Sequence, residues 1–265
     1  MDVTFDLISD LHIDTWEEQF TWEGKPTSLY AVVAGDVTRD RSLLRPALTE
    51  LGKHYKVVMF VDGNDEHRWT LDDLGDSYKT LNDELTDIPN VVWLQDNSLV
   101  IDGVAFVGTN GWTTFNFDEE LSYADSKRWY EDRYKISMFA GQNIEAMAMS
   151  DAGHLCKMVS KLQTHPDIQK IVVVSHFVPD IRLVNHDIDL QGSHGLNCTG
   201  NVFLTRCLEE DHEQKIDTWV FGHYHNDVDK FLDGVRYTNN CRGRSGTNWC
   251  KTVYYPKRIT IQVPV

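Results

Sequence analysis

The residues of this 265-residue chain whose types and spacing could do chemistry together are acids, amides and imidazoles in five short segments. They are Asp10-Leu11-His12, Gly35-Asp36, Gly63-Asn64, Ser175-His176 and Gly222-His223-Tyr224-His225. In an extended segment the side chains at i and i+2 point to one side, so Asp10 with His12, and His223 with His225, can face a common centre. Carboxylate oxygen, amide oxygen and neutral imidazole together make a donor set for a hard-to-borderline divalent cation. One histidine pair alone is common in surface loops. Five such segments, each directly after an apolar run, predict a metal centre.

Each segment needs an element to position it. Residues 3–8 alternate and then turn apolar, as a strand entering a core does. Residues 29–34, 56–61, 171–174 and 217–221 are short apolar runs typical of strands covered on both faces. With helices predicted over 42–53 and 71–85, the order is that of an open α/β sheet, where ligands bind beyond the carboxyl ends of strands. Residues 91–94, 98–101 and 104–108 are expected to form a meander, the last two joined at the hairpin signal Asp102-Gly103, so the sheet is mixed. A second hairpin is expected at Asp233-Gly234, and a closing strand over 259–263. From 118 to 162 the pattern is helical, with two helices predicted to break near Ala140-Gly141. Tyr123, Trp129, Tyr130, Tyr134 and Met138 lie there, expected to pack on the core, with substrate contact as the alternative. Trp16, Phe20 and Trp22 fall in a loop over 15–26, either a lid or surface packing. His186 and His194 are expected to be surface loop residues.

Composition bounds the function. A formal charge of −16 and a pI near 5.0 oppose non-specific attraction to duplex nucleic acid. A small substrate, or one bound through metal, is expected instead. No Pro/Gly/Ser-rich linker, low-complexity tract or repeat divides the chain, so a single domain over 1–265 is expected. The start Met1-Asp2-Val3-Thr4-Phe5-Asp6 lacks the pattern of a signal peptide, and no apolar stretch is long enough to span a bilayer. These features predict a soluble, cytoplasmic protein without membrane contact; the oligomeric state is not legible. The five cysteines have no C-x-x-C spacing and are expected to be reduced thiols.

In order, the five strand ends read D-x-H, G-D, G-N, S-H and G-H-x-H. The chain thereby resembles the calcineurin-like metallophosphoesterases, whose blocks are D-x-H, G-D, G-N-H-D/E, G/S-H and G-H-x-H. The likeness runs over nearly the whole chain. It extends to features of a bacterial-type branch at Gly111-Trp112-Thr113-Thr114-Phe115-Asn116 and at Asn240-Cys241-Arg242-Gly243, where that branch has N-P-R-G. The resemblance implies a four-layer αββα sandwich with mixed β-sheets, the metallophosphoesterase fold. It further implies two divalent metal ions, one held by Asp10, His12 and His225, the other by Asn64, His176 and His223, with Asp36 bridging. Two cations about 3.5–4 Å apart acidify a shared water and clamp phosphoryl oxygens for in-line attack. Manganese (Mn²⁺) is the expected ion, and Fe²⁺ or Zn²⁺ suits the same donors. The implied activity is hydrolysis of a phosphodiester or phosphomonoester in a small phosphorylated substrate, such as a nucleotide, with Arg242 steadying a substrate oxygen.

One departure bears on that activity. Where the family has a histidine after Gly-Asn, thought to protonate the leaving group, this chain has Asp65. An aspartate, with an ordinary pKa of about 3.9, is mostly ionised at neutral pH and neither donates a proton readily nor welcomes a phosphate. Either His67 takes the acid role, or the leaving group needs no acid, or the site is a weakened one that binds metal and phosphate with little turnover. A nuclease is a further alternative, since the same scaffold serves DNA-repair nucleases, and the chain's acidity counts against it.

Overall fold

The computed structural model describes residues 2–68, 73–185 and 193–264. In chain order the strands and α-helices are β1 (Asp2–Ile8), β2 (Tyr30–Ala34), α1 (Arg41–Gly52), β3 (Val57–Val61), α2 (Leu74–Leu85), β4 (Val91–Trp93), β5 (Asn97–Ile101), β6 (Val104–Thr109), α3 (Tyr123–Tyr134), α4 (Met138–Gln163), β7 (Lys170–Ser175), α5 (Ser193–Asn197), β8 (Ile216–Phe221), β9 (Asp229–Leu232), β10 (Val235–Asn239) and β11 (Lys257–Gln262). Among the described residues these strands form two sheets, of order β11-β1-β2-β3-β4 and β5-β6-β7-β8-β10-β9. In the first, β1 to β4 run parallel and β11 closes the edge antiparallel to β1. In the second, β6, β7, β8 and β10 are parallel, with an antiparallel hairpin partner at each edge.

The alternation of strand side chains divides the apolar residues into layers. Val32, Ala34, Met59 and Val61 turn inward and meet Phe106, Val172, Val174 and Val220 of the other sheet. Phe5 and Phe106 touch edge to face across that gap, with ring centroids 5.3 Å apart. Ala31, Val33, Val58 and Phe60, one residue out of step, face Leu44, Leu48 and Leu51 of α1 and Leu81 and Leu85 of α2. On the far side, Ala105, Val107, Ile171 and Val173 receive Leu155 and Val159 of α4. Helix, sheet, sheet, helix is the four-layer αββα sandwich the motifs implied.

Two local expectations are corrected. Residues 91–108 do not form a meander: β4 pairs in parallel with β3, whereas β5 and β6 belong to the second sheet. Leu94, fully buried between the sheets, marks the crossing, donating its N–H to Phe60 O at 2.7 Å, while Asp96 N reaches Gly108 O at 3.1 Å. Three apolar runs in a row read alike whether or not they share a sheet. The break between α3 and α4 falls at residues 135–137, where Lys135 takes φ 54 and the Ser137 hydroxyl caps α4 at Ala140 N. Gly141 instead lies inside α4, where a Cβ would stand 3.0 Å from Lys127 Cε of α3; it marks a close approach of two helices. Helix α2 begins at Leu74 behind its cap Asp73; residue 71 lies outside the described residues, as does His186.

The hairpins at Asp102-Gly103 and Asp233-Gly234 form as expected, with positive φ at both turn residues. In the loop over 15–26, packing prevails for Trp22, which is fully buried and donates from Nε1 to Tyr55 Oη at 2.8 Å. All five cysteines are free thiols. No helix among the described residues is long and apolar enough to cross a membrane.

Candidate active site

The strands β1, β2, β3, β7 and β8 deliver the five motifs to one edge of the sandwich. There the backbone is bent sharply, with Asp10, His12, Asp36 and His223 at φ of 50, 43, 53 and 60. Non-glycine residues in the left-handed region cost about 1–3 kcal/mol each, and such strain concentrates where surroundings fix a functional geometry. The surroundings here are interlocking exits: Asp10 N donates to Gly35 O (3.0 Å), His12 N to Asp36 O (3.1 Å) and Gly222 N to His176 O (3.0 Å). Asp10 Oδ1 accepts from His223 N at 3.0 Å and Asp36 Oδ1 from Asp65 N at 2.8 Å. Gly222 admits this packing, because a Cβ there would fall 2.6 Å from Ser9 Oγ and 2.8 Å from Asp10 Oδ2.

Two clusters result, and a third group of His12, Asp36 and Asp65 overlaps both. Asp10, His12 and His225 bring ligand atoms within 4.8 Å of one another, and so do Asp36, His176 and His223. His12 Nε2 and His225 Nε2 approach to 3.2 Å, with Asp10 Oδ1 3.1 Å from the latter. His176 Nε2 stands 3.2 Å from His223 Nδ1, 3.2 Å from Asn64 Oδ1 and 3.4 Å from Asp36 Oδ1. Asp36 Oδ2 lies 3.9 Å from His12 Nε2, so its carboxylate stands between the clusters. His223 and His225, two residues apart, thus face different clusters.

These residues fit a pair of divalent cations. With bonds of about 2.1 Å, donors around one ion sit roughly 3–4.2 Å apart, and the closest separations here fall in that range. His176 Nδ1 donates to Ala34 O at 2.9 Å, which turns Nε2 toward the cluster. Facing imidazole nitrogens beside ionised carboxylates call for a positive centre. Burial by itself raises the Asp10 carboxyl, yet the hydrogen bond and charge of His225, with His176 and His12 nearby, hold it well below the usual range. Burial and the neighbouring His176 charge push the His223 imidazole down to about 3, leaving it neutral and able to ligate.

The residues around Asn64 have separate tasks. Glu66, fully occupied in the core, accepts from Asp36 N (2.9 Å), Gly63 N (2.7 Å) and Thr38 N (3.1 Å), tying the exits of β2 and β3 together. Asp65 is buried, with Oδ2 against Arg244, 3.2 Å from Arg39 Nε and 3.2 Å from His12 Nδ1. Burial raises its carboxyl, but His12 and the charges of Arg244 and Arg39 outweigh that and keep it well below the usual range. Asp65 is therefore an ionised anchor for two arginines. His67 does not reach the clusters: it is fully buried, with Nε2 2.7 Å from Asp62 Oδ2 and Nδ1 2.7 Å from Ser77 Oγ. Both ring nitrogens are engaged in the core, so the alternative in which His67 takes the acid role is corrected. Arg242 is corrected too, since its guanidinium stacks 3.9 Å from the Trp16 ring centroid and lies 3.6 Å from Glu18 Oε2.

The clusters open into a cavity of about 410 Å³, whose wall includes His12, Asp36, Asn64, His223 and His225. Arg39, Arg68, Arg133 and Arg244 line it as well, with Trp129, Tyr130, Tyr134 and Trp249. The sequence reading missed these arginines. A signal existed, since Arg39, Arg68 and Arg244 each follow a motif residue, Asp36, Asn64 or Arg242, within four positions. Tyr130 and Tyr134 both pack and line the cavity, their rings 4.3 Å apart. His194 lies outside the cavity, with Nδ1 3.4 Å from Ser126 Oγ.

No protein-family model and no curated protein matches the sequence. Solved structures do match the fold. The phosphopantetheinyl hydrolase of Mycobacterium tuberculosis is 20% identical with a TM-score of 0.66, the match covering 94% of each chain. A dimetal phosphatase from Danio rerio is 13% identical with a TM-score of 0.52, over 93% of this chain and 89% of that one. GAP50, the anchor in the inner membrane complex of Plasmodium, is 13% identical with a TM-score of 0.50, over 95% of this chain and 75% of that one. The chain has the metallophosphoesterase fold.

Proposed function

We propose that this chain is a metal-dependent phosphoric ester hydrolase acting on a small phosphorylated molecule. The observation that carries the reading is the pair of converging histidine–carboxylate clusters on either side of Asp36, at the floor of an arginine-lined cavity. In this reading Asp10, His12 and His225 would hold one divalent cation and Asn64, His176 and His223 the other, with Asp36 available to both. When bound, the two cations supply Lewis acidity toward phosphoryl oxygens and activate water as the nucleophile. Manganese is the ion we propose, with Fe²⁺ and Zn²⁺ suited to the same donors. The neighbours described as a phosphopantetheinyl hydrolase and a dimetal phosphatase support a phosphate ester as the substrate. We extend the reading to the chain as one domain, because a single apolar layer joins both sheets beneath the site.

The chain's own residues set the character of the reaction. Arg39, held by Asp65, stabilises negative charge on the phosphoryl group as it is transferred. Glu66 and the interlocked strand exits fix the positions of Asp36 and Asn64. Asp65 is no proton donor, so the leaving group departs without protonation from that position. Substrates with acidic leaving groups, such as aryl alcohols or phosphates, are then favoured.

The test is hydrolysis of p-nitrophenyl phosphate and bis-p-nitrophenyl phosphate with Mn²⁺, Fe²⁺ or Zn²⁺. Metal-dependent turnover that falls at least about a hundredfold in Asp36→Asn and in His223→Ala is expected. Turnover that is metal-independent, or absent with every ion, overturns the reading. In a series of aryl phosphates, the rate should fall steeply as the leaving-group pKa rises. The second reading, a protein that binds metal and phosphate without turnover, is favoured by Asp65 alone, and absent turnover with intact metal binding would establish it.

A further inference from the structure

The metal-ligating residues form only the floor of the cavity, and much of its wall is basic and short of acceptors. Three buried donors there have no hydrogen-bond partner among the described residues: Arg68 Nη1, Arg244 Nη1 and the phenol Oη of Tyr130. A guanidinium offers only donors, so whatever satisfies these groups must bring acceptor oxygens. The guanidiniums are also held in place. Arg68 lies 4.6 Å over the Tyr134 ring and Arg133 lies 5.4 Å over Trp129. Rings that fix the planes leave the edges free to bind, at little further ordering cost.

The charge balance points the same way. Asp65 neutralises part of Arg39 and Arg244, and no acidic partner is found for Arg68 or Arg133 among the described residues. Asp36, which belongs to the metal-ligating floor, is the one carboxylate in the wall among those residues. In a chain of net charge −16, this concentration of arginine is local and not a product of composition. Planar, donor-rich and fixed guanidiniums suit the oxygens of a phosphate.

We propose that Arg68, Arg133, Arg244 and Tyr130 form a second anion subsite, which holds a phosphate group other than the one at the metal-ligating clusters. The substrate is then a small molecule carrying two phosphates a short span apart. The proposal rests on the hydrolase reading only for which of the two phosphates reacts.

Equilibrium binding of three adenosine probes to the full chain loaded with Mn²⁺ tests it: the 5′-monophosphate, the 5′-diphosphate and the 3′,5′-bisphosphate, each checked by chromatography to be intact at the end of the titration. At least one of the two-phosphate probes should bind about tenfold or more tightly than the monophosphate. Arg68→Ala with Arg133→Ala should erase that preference. Tyr130→Phe, which removes one hydroxyl and keeps the ring, should reduce it about threefold or more, with an unchanged circular dichroism spectrum. Arg182→Ala, outside the cavity, should preserve it. Equal affinity for all three probes in the unaltered chain, or full preference in the double variant, overturns the proposal. A preference present in a protein that hydrolyses nothing sustains the subsite while the hydrolase reading fails.

Discussion

Asp65 shows how one residue can change role while the scaffold stays the same. At the position where the resembling family places a proton donor, this chain has a carboxylate buried against two arginines and the ring of His12. Removing it by Asp65→Ala leaves those cations without their acceptor. We expect a loss of about 3 kcal/mol by urea denaturation, toward the low end for a broken buried pair because Arg39 is partly exposed to water. Asp65→His places a further basic group among them, so lower stability and no gain in aryl phosphate turnover are expected. A gain in turnover would restore the proton-donor role to this position. His67 sits in a different setting, paired with Asp62 and Ser77 in the core. His67→Ala should cost about 2–3 kcal/mol and leave the shape of the pH–rate profile unchanged, as a packing residue does and a general acid does not.

At the scale of elements, the site depends on how closely the strand exits approach. Gly222, at the end of β8, has no room for a side chain between Ser9 and Asp10. Gly234, in the β9–β10 hairpin, has φ +85 and nothing within 4 Å of where a Cβ would be. Gly234→Ala should therefore cost only backbone strain, about 1 kcal/mol, with the site unaffected. Gly222→Ala should cost about 2 kcal/mol or more and also lower the bound metal measured by elemental analysis, because the added methyl displaces Asp10. Equal effects of the two substitutions would show that exit packing does not control the site. The strand ends and the hairpins were legible in the sequence, because apolar runs and Asp-Gly turns are local signals. The destination of β4 was not, since its apolar run carries no mark of which sheet it joins. Nor was the break before α4, because Gly141 serves helix contact while Lys135 and Ser137 end one helix and cap the next.

For the whole molecule, two sheets share one apolar layer and meet at an edge that gathers like groups from distant parts of the chain. A ligand that binds only the folded arrangement stabilises it by mass action, about 2.7 kcal/mol at a hundred times its dissociation constant. Mn²⁺ should accordingly raise the melting temperature by about 5–10 °C, in a single transition if the chain folds as one domain. The double variant His223→Ala, His225→Ala should show no such rise. A rise that survives in that variant would place the cation elsewhere.

The sequence by itself determined which residues would stand at the strand ends. Strand alternation, the apolar runs and the exit motifs are each set within a few residues, so Asp10, His12, Asp36, Asn64, His176, His223 and His225 could be picked out before any geometry. No local pattern sets how these divide between two clusters: the family resemblance implied the division, and the tertiary structure brings together partners such as His12 and His225, 213 positions apart. Only the tertiary structure decided that Arg244 faces the cavity while Arg242 stacks on Trp16, and that Asp65 anchors arginines while His67 lies in the core. Side-chain direction beyond a turn, and the charge that surrounds a buried carboxyl, depend on contacts between elements remote in the chain, which no local pattern encodes.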